Sequence, residues 1–319
     1  MYRTPNSQGS TSNWHTRATD ERVGAINGLA SLALLMLAVG LCGKAFRVFR
    51  RETAVFHPRR GPVARTDLGA GFAGLEVTFT SCDGTRLSGW LLPSRNAAAV
   101  ILAHGSEADR TQLLPEAKLL HALGYGVLLF DWPGHGESGG RVQWGDTERR
   151  ALEAAIDFVA CQPSIQASRI GVLGFSMGGA IVAQVAGRDS RLRAIVLEAT
   201  FADAIEQTRY FSGRWWGILM QWPSRFADWW QGMDLRAMRP IERVAGASPR
   251  SVLIIGGTKD TVVPAWMVRR LYDAAREPKE LWIVPDAGHG GYDRLLGGEY
   301  GNRISSFFDN ALGMHSVSD

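Results

Sequence analysis

The sequence predicts an α/β fold, a doubly wound and mostly parallel sheet with an inserted helical cap and an N-terminal transmembrane helix. Three observations predict it. Six short apolar runs without polar alternation lie between residues 98 and 284, helix-like stretches separate them, and an uncharged stretch of 21 residues, 23–43, precedes them all. Continuous β-branched runs of this length are strands buried on both faces, as in a parallel sheet. Strand–helix alternation then puts helices on both sides of that sheet.

The N-terminal part comes first. Residues 1–22 are polar and read as a disordered tail. As a helix rising ~1.5 Å per residue, residues 23–43 span about 30 Å, the thickness of the hydrocarbon core. A cleaved signal peptide with its core at Leu29–Val39 is the rival, but the polar lead is long and the apolar run exceeds most signal cores. Lys44, Arg47, Arg50 and Arg51 follow the span closely, so the positive-inside rule places the C-terminal flank, and the domain after it, in the cytoplasm. Residues 44–70 read as a basic linker. The net charge of +4 is uneven: residues 1–65 hold ten basic and three acidic residues, and the remainder holds 25 basic and 28 acidic. A mildly acidic body argues against a nucleic-acid partner. The three cysteines, Cys42, Cys82 and Cys161, form neither a disulfide framework nor a zinc motif. Each is expected to be a small buried hydrophobe.

The body is expected over residues 71–310, with a short tail at 311–319. Leu75–Thr80 and Thr85–Leu92 read as strands joined by the turn Ser81–Gly84. The buried strands follow at Ala98–Ala103, Gly126–Phe130, Ile170–Phe175, Ala194–Leu197, Ser251–Ile255 and Leu281–Val284. Helices are expected at Leu113–Leu123, Thr147–Cys161, Met177–Gly187, Pro264–Ala275 and Tyr292–Asn310, with Thr147 as an N-cap. Phe201–Ser248 separates two strands by far more than one helix and reads as the cap. It carries Trp215, Trp216, Trp222, Trp229 and Trp230, five of the 11 tryptophans. These rings either pack the cap onto the sheet or, for Trp215 and Trp216 in particular, face the mouth of a site and meet acyl chains or the bilayer interface.

Ser176 sits in Gly174-Phe175-Ser176-Met177-Gly178, between a buried strand and a small-residue apolar helix. That is the setting of a nucleophile elbow, where a sharp turn presents the Ser hydroxyl at the positive end of a helix. A serine hydroxyl needs a base. His289 follows the last strand and has the right order. His104 and His135 precede Ser176, His15 and His315 are terminal, His57 is in the linker, and His121 is on a helix. Two carboxylates compete to orient the base. Asp260 follows Ser251–Ile255 and is favoured by its post-strand loop, while Glu198 follows Ala194–Leu197 and is otherwise a pocket-wall carboxylate. The oxyanion hole needs two backbone N–H groups. Met177, directly after the nucleophile, supplies one, and Ser106, in the loop His104–Arg110 that Gly105 lets turn tightly, supplies the other.

These residues, with His104-Gly105, Asp131–Ser138, Gly257–Pro264 and Gly288-His289, resemble the α/β-hydrolase superfamily in its serine-hydrolase branch, over about residues 75–309. The pattern is similar to membrane-anchored esterase, lysophospholipase and monoacylglycerol-lipase-like members, and to serine aminopeptidase-like relatives. The resemblance implies hydrolysis of an ester, thioester or amide with no cofactor and no metal. Asp109 departs from it, since a polar amide is frequent there. A small ester or lipid-like substrate is the leading expectation, with membrane lipid met through residues 23–43. An amide substrate and a non-catalytic binding protein on the same fold are the alternatives. Gly134–Gly139 superficially offers G-x-G-x-x-G, but no acidic ribose partner stands at the expected place, and there is neither a Walker A sequence nor HExxH.

Overall fold

A computed structural model describes residues 31–44, 46–47, 58, 60–64, 74–212 and 235–313. The chain divides into two units, residues 1–51 and 52–319. In the first, residues 31–44 are helical and exposed throughout, with Leu34, Met36 and Val39 keeping 67%, 63% and 64% of their surface. Residues 23–30 of the expected span lie outside the described residues. Among the described residues no helix is long and apolar enough to cross a membrane.

The second unit is built on an eight-stranded sheet in the order β1-β2-β4-β3-β5-β6-β7-β8. The strands are β1 (Leu75–Thr80), β2 (Arg86–Leu92), β3 (Ala99–Ala103), β4 (Gly126–Phe130), β5 (Ile170–Phe175), β6 (Leu192–Glu198), β7 (Ser251–Gly257) and β8 (Lys279–Val284). The pairs β1–β2 and β2–β4 are antiparallel and the rest are parallel. The helices are α1 (Leu114–Ala122), α2 (Asp146–Ala160), α3 (Met177–Ala186), α4 (Ala204–Ser212), α5 (Pro240–Arg243), α6 (Ala265–Ala274), α7 (Tyr292–Leu296) and α8 (Gly298–Ala311).

Strand side chains alternate between faces, and here each face has a core of its own. Ile101, Leu128, Val172, Ile195 and Ile254 pack on α2, α3 and α6 through residues such as Leu152, Ile181 and Val268. Val100, Leu129, Leu173, Val196 and Leu253 pack on α1 and α8 through Leu120, Ile304 and Phe308. Burial on both sides is why these strands read as unbroken apolar runs. The parallel strands all point their C-terminal ends the same way, and at that edge loops converge.

Several expectations need correction. Thr147 is not a cap: α2 starts at Asp146 after Gly145, and Glu148 reaches back to accept the Gly145 and Gln143 N–H groups, each at 2.8 Å. The predicted helix Tyr292–Asn310 is two helices, broken at Gly297, whose φ is 52°. All three cysteines are exposed rather than buried, because Cys82 lies in the β1–β2 turn and Cys161 at the end of α2. Residues 60–64, expected in the linker, lie against the body through a parallel bridge between Arg60 and Gly136. Of the cap, α4 and residues 235–248 are described. Trp215, Trp216, Trp222, Trp229 and Trp230 lie outside the described residues.

Candidate active site

Ser176 stands between β5 and α3 with φ 53° and ψ −115°. A non-glycine residue in this region is strained, and the strain persists only because the surroundings fix it. Two bonds do so: the Ser176 N–H donates to Glu198 O at 2.8 Å, and Ala180 N–H donates to Ser176 O at 3.1 Å. Gly178 makes the turn sterically possible. A Cβ there would stand 2.1 Å from the Ala103 carbonyl oxygen and 2.5 Å from that of His104. The first turn of α3 therefore lies directly against the end of β3, where the loop carrying Ser106 begins.

His289 and Asp260 come from the loops after β8 and β7. His289 Nε2 is 3.1 Å from Ser176 Oγ, and His289 Nδ1 is 2.8 Å from Asp260 Oδ2. The Asp260 side chain is wholly buried and that of His289 is 21% exposed. Asp260 Oδ1 accepts the N–H groups of Val262 and Val263, each at 2.8 Å, which fixes the carboxylate plane. The Phe175 ring packs on the imidazole with centroids 4.9 Å apart.

The loop after β3 is held at both ends. Trp132 donates its N–H to His104 Nε2 at 3.1 Å and its indole N–H to His104 O at 2.8 Å. Gln112 Oε1 takes the Gly105 N–H at 2.7 Å, so that N–H is occupied and Ser106 is next in line. Asp109, the departure from the family pattern, caps the 3-10 turn Arg110–Leu113 by accepting the Thr111 N–H at 2.9 Å. His104 and His135 are buried, and desolvation lowers both, His135 to about 4. Both imidazoles are thus neutral scaffolding near neutral pH.

Glu198 points elsewhere. Its carboxyl accepts the Tyr300 hydroxyl at 2.5 Å, and the same hydroxyl is 3.3 Å from Glu116 Oε1. Burial, followed by the mutual repulsion of the two carboxylates for Glu198, pushes both carboxyls well above the usual range. Tyr292 OH, three residues after His289, is buried and has no hydrogen-bond partner among the described residues.

The structure thus brings Ser176, His289 and Asp260 together and places Glu198 in a separate cluster with Tyr300. Met177 opens α3 and Ser106 lies in the loop beside it. Sequence reasoning missed Arg110, Gln112, Glu116, Glu137 and Tyr300. Arg110 and Asp131 are 21 residues apart and Tyr300 and Glu198 are 102 apart, so no local spacing could pair them.

Residues 111–315 match the model of the prolyl oligopeptidase family. The chain is 31% identical over 250 residues to the uncharacterized protein YfhR of Escherichia coli strain K12, covering 74% of this chain and 81% of that one. It is also 31% identical over 252 residues to the uncharacterized protein Rv2307c of Mycobacterium tuberculosis, covering 78% and 83%. Among solved structures, the Pyrococcus furiosus esterase Pf2001 superposes with a TM-score of 0.67 at 24% identity, covering 81% of this chain and 98% of the esterase. With the match and the fold in agreement, the chain belongs to the prolyl oligopeptidase family of α/β-hydrolase serine hydrolases and is a hydrolase.

Proposed function

We propose that the protein is a membrane-anchored serine hydrolase that cleaves carboxylic esters, thioesters included, through an acyl-enzyme on Ser176. The observation that carries this reading is the unbroken contact from Ser176 Oγ through His289 to Asp260. With the imidazole proton on Nδ1 facing Asp260, the Nε2 lone pair faces the Ser176 hydroxyl. Nε2 takes the hydroxyl proton as Oγ attacks the acyl carbon, and the charge on the carbonyl oxygen is met by the Met177 and Ser106 N–H groups. Collapse breaks the ester C–O bond, and the alcohol leaves with the proton from His289. Water then attacks the acyl carbon, gives a proton to His289, and releases the acid as the proton returns to Ser176.

Trp215 and Trp216 supply an apolar wall for the acyl chain in this reading. The exposed apolar helix at residues 31–44 supports an anchor at 23–43, with the catalytic domain on the cytoplasmic side. The esterase named among the fold neighbours agrees with an ester substrate. The family description, which names an oligopeptidase, favours a second reading as an amide hydrolase.

A fluorophosphonate probe should label the wild type and leave Ser176→Ala unlabelled. Ser176→Ala and His289→Ala should each lose about 10⁴-fold or more in ester turnover, and Asp260→Asn should cost more than Glu198→Gln. An active, unlabelled Ser176→Ala would sink the mechanism. Faster turnover of aminoacyl amides than of esters would favour the second reading.

A further inference from the structure

We propose that residues 60–63 form a strap that holds the oxyanion loop in its working position, with Arg60 as its positioning residue. The strap meets the loop after β4. Arg60 Nε donates to Gly134 O at 3.0 Å and its terminal nitrogen donates to Gly140 O at 2.6 Å. Gly61 N–H donates to Gly136 O at 3.0 Å, and Val63 N–H donates to Glu137 Oε1 at 3.2 Å. The arginine fork thus closes two ends of one loop, a geometry a point charge cannot copy.

From Glu137 the contacts continue inward. Its other carboxylate oxygen pairs with the buried guanidinium of Arg110. Its N–H donates to Asp131 Oδ2 at 3.0 Å, while Asp131 Oδ1 accepts the Arg110 N–H at 2.8 Å. Arg110 also faces Asp131 through Nε at 3.7 Å and lies over the Trp90 ring at 4.5 Å. Val63 packs on the same Trp90 and on Leu114. Gly136 leaves no slack here, since a Cβ on it would stand 2.3 Å from Asp131 Oδ2.

Arg110 is the C-terminal end of the segment His104–Arg110, and His104 and Gly105 at its other end are fixed by Trp132 and Gln112. Ser106 lies between those fixed points. Loosening Arg110 frees one end of the segment whose N–H must meet the developing oxyanion, and a shift of ~1 Å at such a donor can cost about 100-fold in rate. The residues after the expected anchor therefore do more than tether the body: they complete it. This inference rests on the reading of Ser176 as nucleophile and Ser106 as oxyanion donor.

The test uses the full-length protein in its membrane. Active sites are counted by fluorophosphonate titration, and turnover of a short aryl ester is expressed per titrated site. Arg60→Ala and Val63→Pro should each lower kcat per site by about tenfold or more, with KM changed less than about twofold. Arg60→Lys should recover part of the loss, and Arg188→Ala, an exposed arginine after α3, should match the wild type. A purely stabilising strap would lower the number of titratable sites and leave turnover per site unchanged, which would overturn the proposal. Wild-type turnover per site in Arg60→Ala and Val63→Pro together would overturn it too. Activity retained in Ser176→Ala would instead remove the reading on which it rests, and that arm is scored separately.

Discussion

Glu198 ends β6 and Asp260 lies just beyond the adjacent parallel strand β7, yet they stand in opposite surroundings. Asp260 receives two backbone N–H groups and an imidazole. Glu198 receives one tyrosine hydroxyl, and a second carboxyl, Glu116, shares that hydroxyl. Burial therefore dominates at Glu198 and holds its carboxyl in the neutral form well above the usual range. An acid whose native pKa exceeds its unfolded one binds its proton more tightly in the fold. The stability it contributes is complete below the unfolded carboxyl pKa of about 4.3 and is lost as pH climbs through the raised value. The stability contributed by Glu198 should accordingly fall between about pH 5 and about pH 9. Glu198→Gln keeps an oxygen for the Tyr300 hydroxyl and cannot ionise, so over that range it should lose less stability than the wild type. Parallel curves for the two proteins by chemical denaturation would show that Glu198 ionises as readily in the fold as out of it. Sequence alone favoured Asp260 for its post-strand loop but kept Glu198 as a rival, because both stand at or just beyond the end of a strand before His289. What separates them is Tyr300, which reaches the site from the far end of the chain.

The inner strands β3 to β7 were legible as elements because they are buried on both faces and need no partner to declare themselves. Helix ends were less so. The α2 start depends on Glu148 folding back on Gly145 rather than on the hydroxyl of Thr147, and the break at Gly297 follows from one backbone angle inside a periodic apolar pattern. The elbow was legible because its glycines stand at fixed places beside Ser176 between a strand and a helix, whereas the Arg110–Asp131–Glu137 cluster joins two strand-end loops and has no local mark. The cap poses an element-scale question of its own. If Trp215 and Trp216 wall an acyl pocket, replacing both by Ala should raise KM more for long-chain than for short-chain esters. The penalty should grow with chain length by at most ~0.8 kcal/mol per buried CH₂, about fourfold per carbon. An equal loss on acetyl and long-chain esters, with stability unchanged, would mean the rings only pack the cap.

The two units of the chain differ in what they offer to water. The second buries its apolar residues on both faces of a sheet, and it carries the acidic share of the charge. The first presents Leu32, Leu34, Leu35, Met36, Leu37 and Val39 at 52–67% exposure, followed in sequence by Lys44, Arg47, Arg50 and Arg51. A helix apolar all round favours an apolar surface against it, lipid or protein, and in the proposed anchoring the basic residues on its C-terminal flank keep that flank on the cytoplasmic side. The full-length protein should therefore stay with membranes through high-salt and carbonate washes, and protease outside intact cells should spare the catalytic domain. Removing residues 1–51 should release a soluble enzyme that keeps its turnover per site, because Arg60 and Val63 remain. Removing residues 1–65 should release a soluble protein that is slower per site, because the contacts to Gly134, Gly140 and Glu137 go with them. Rapid cleavage by external protease would reverse the orientation. Washing of the full-length protein into the soluble fraction would remove the anchor, while leaving the Ser176–His289–Asp260 contact as the basis of catalysis.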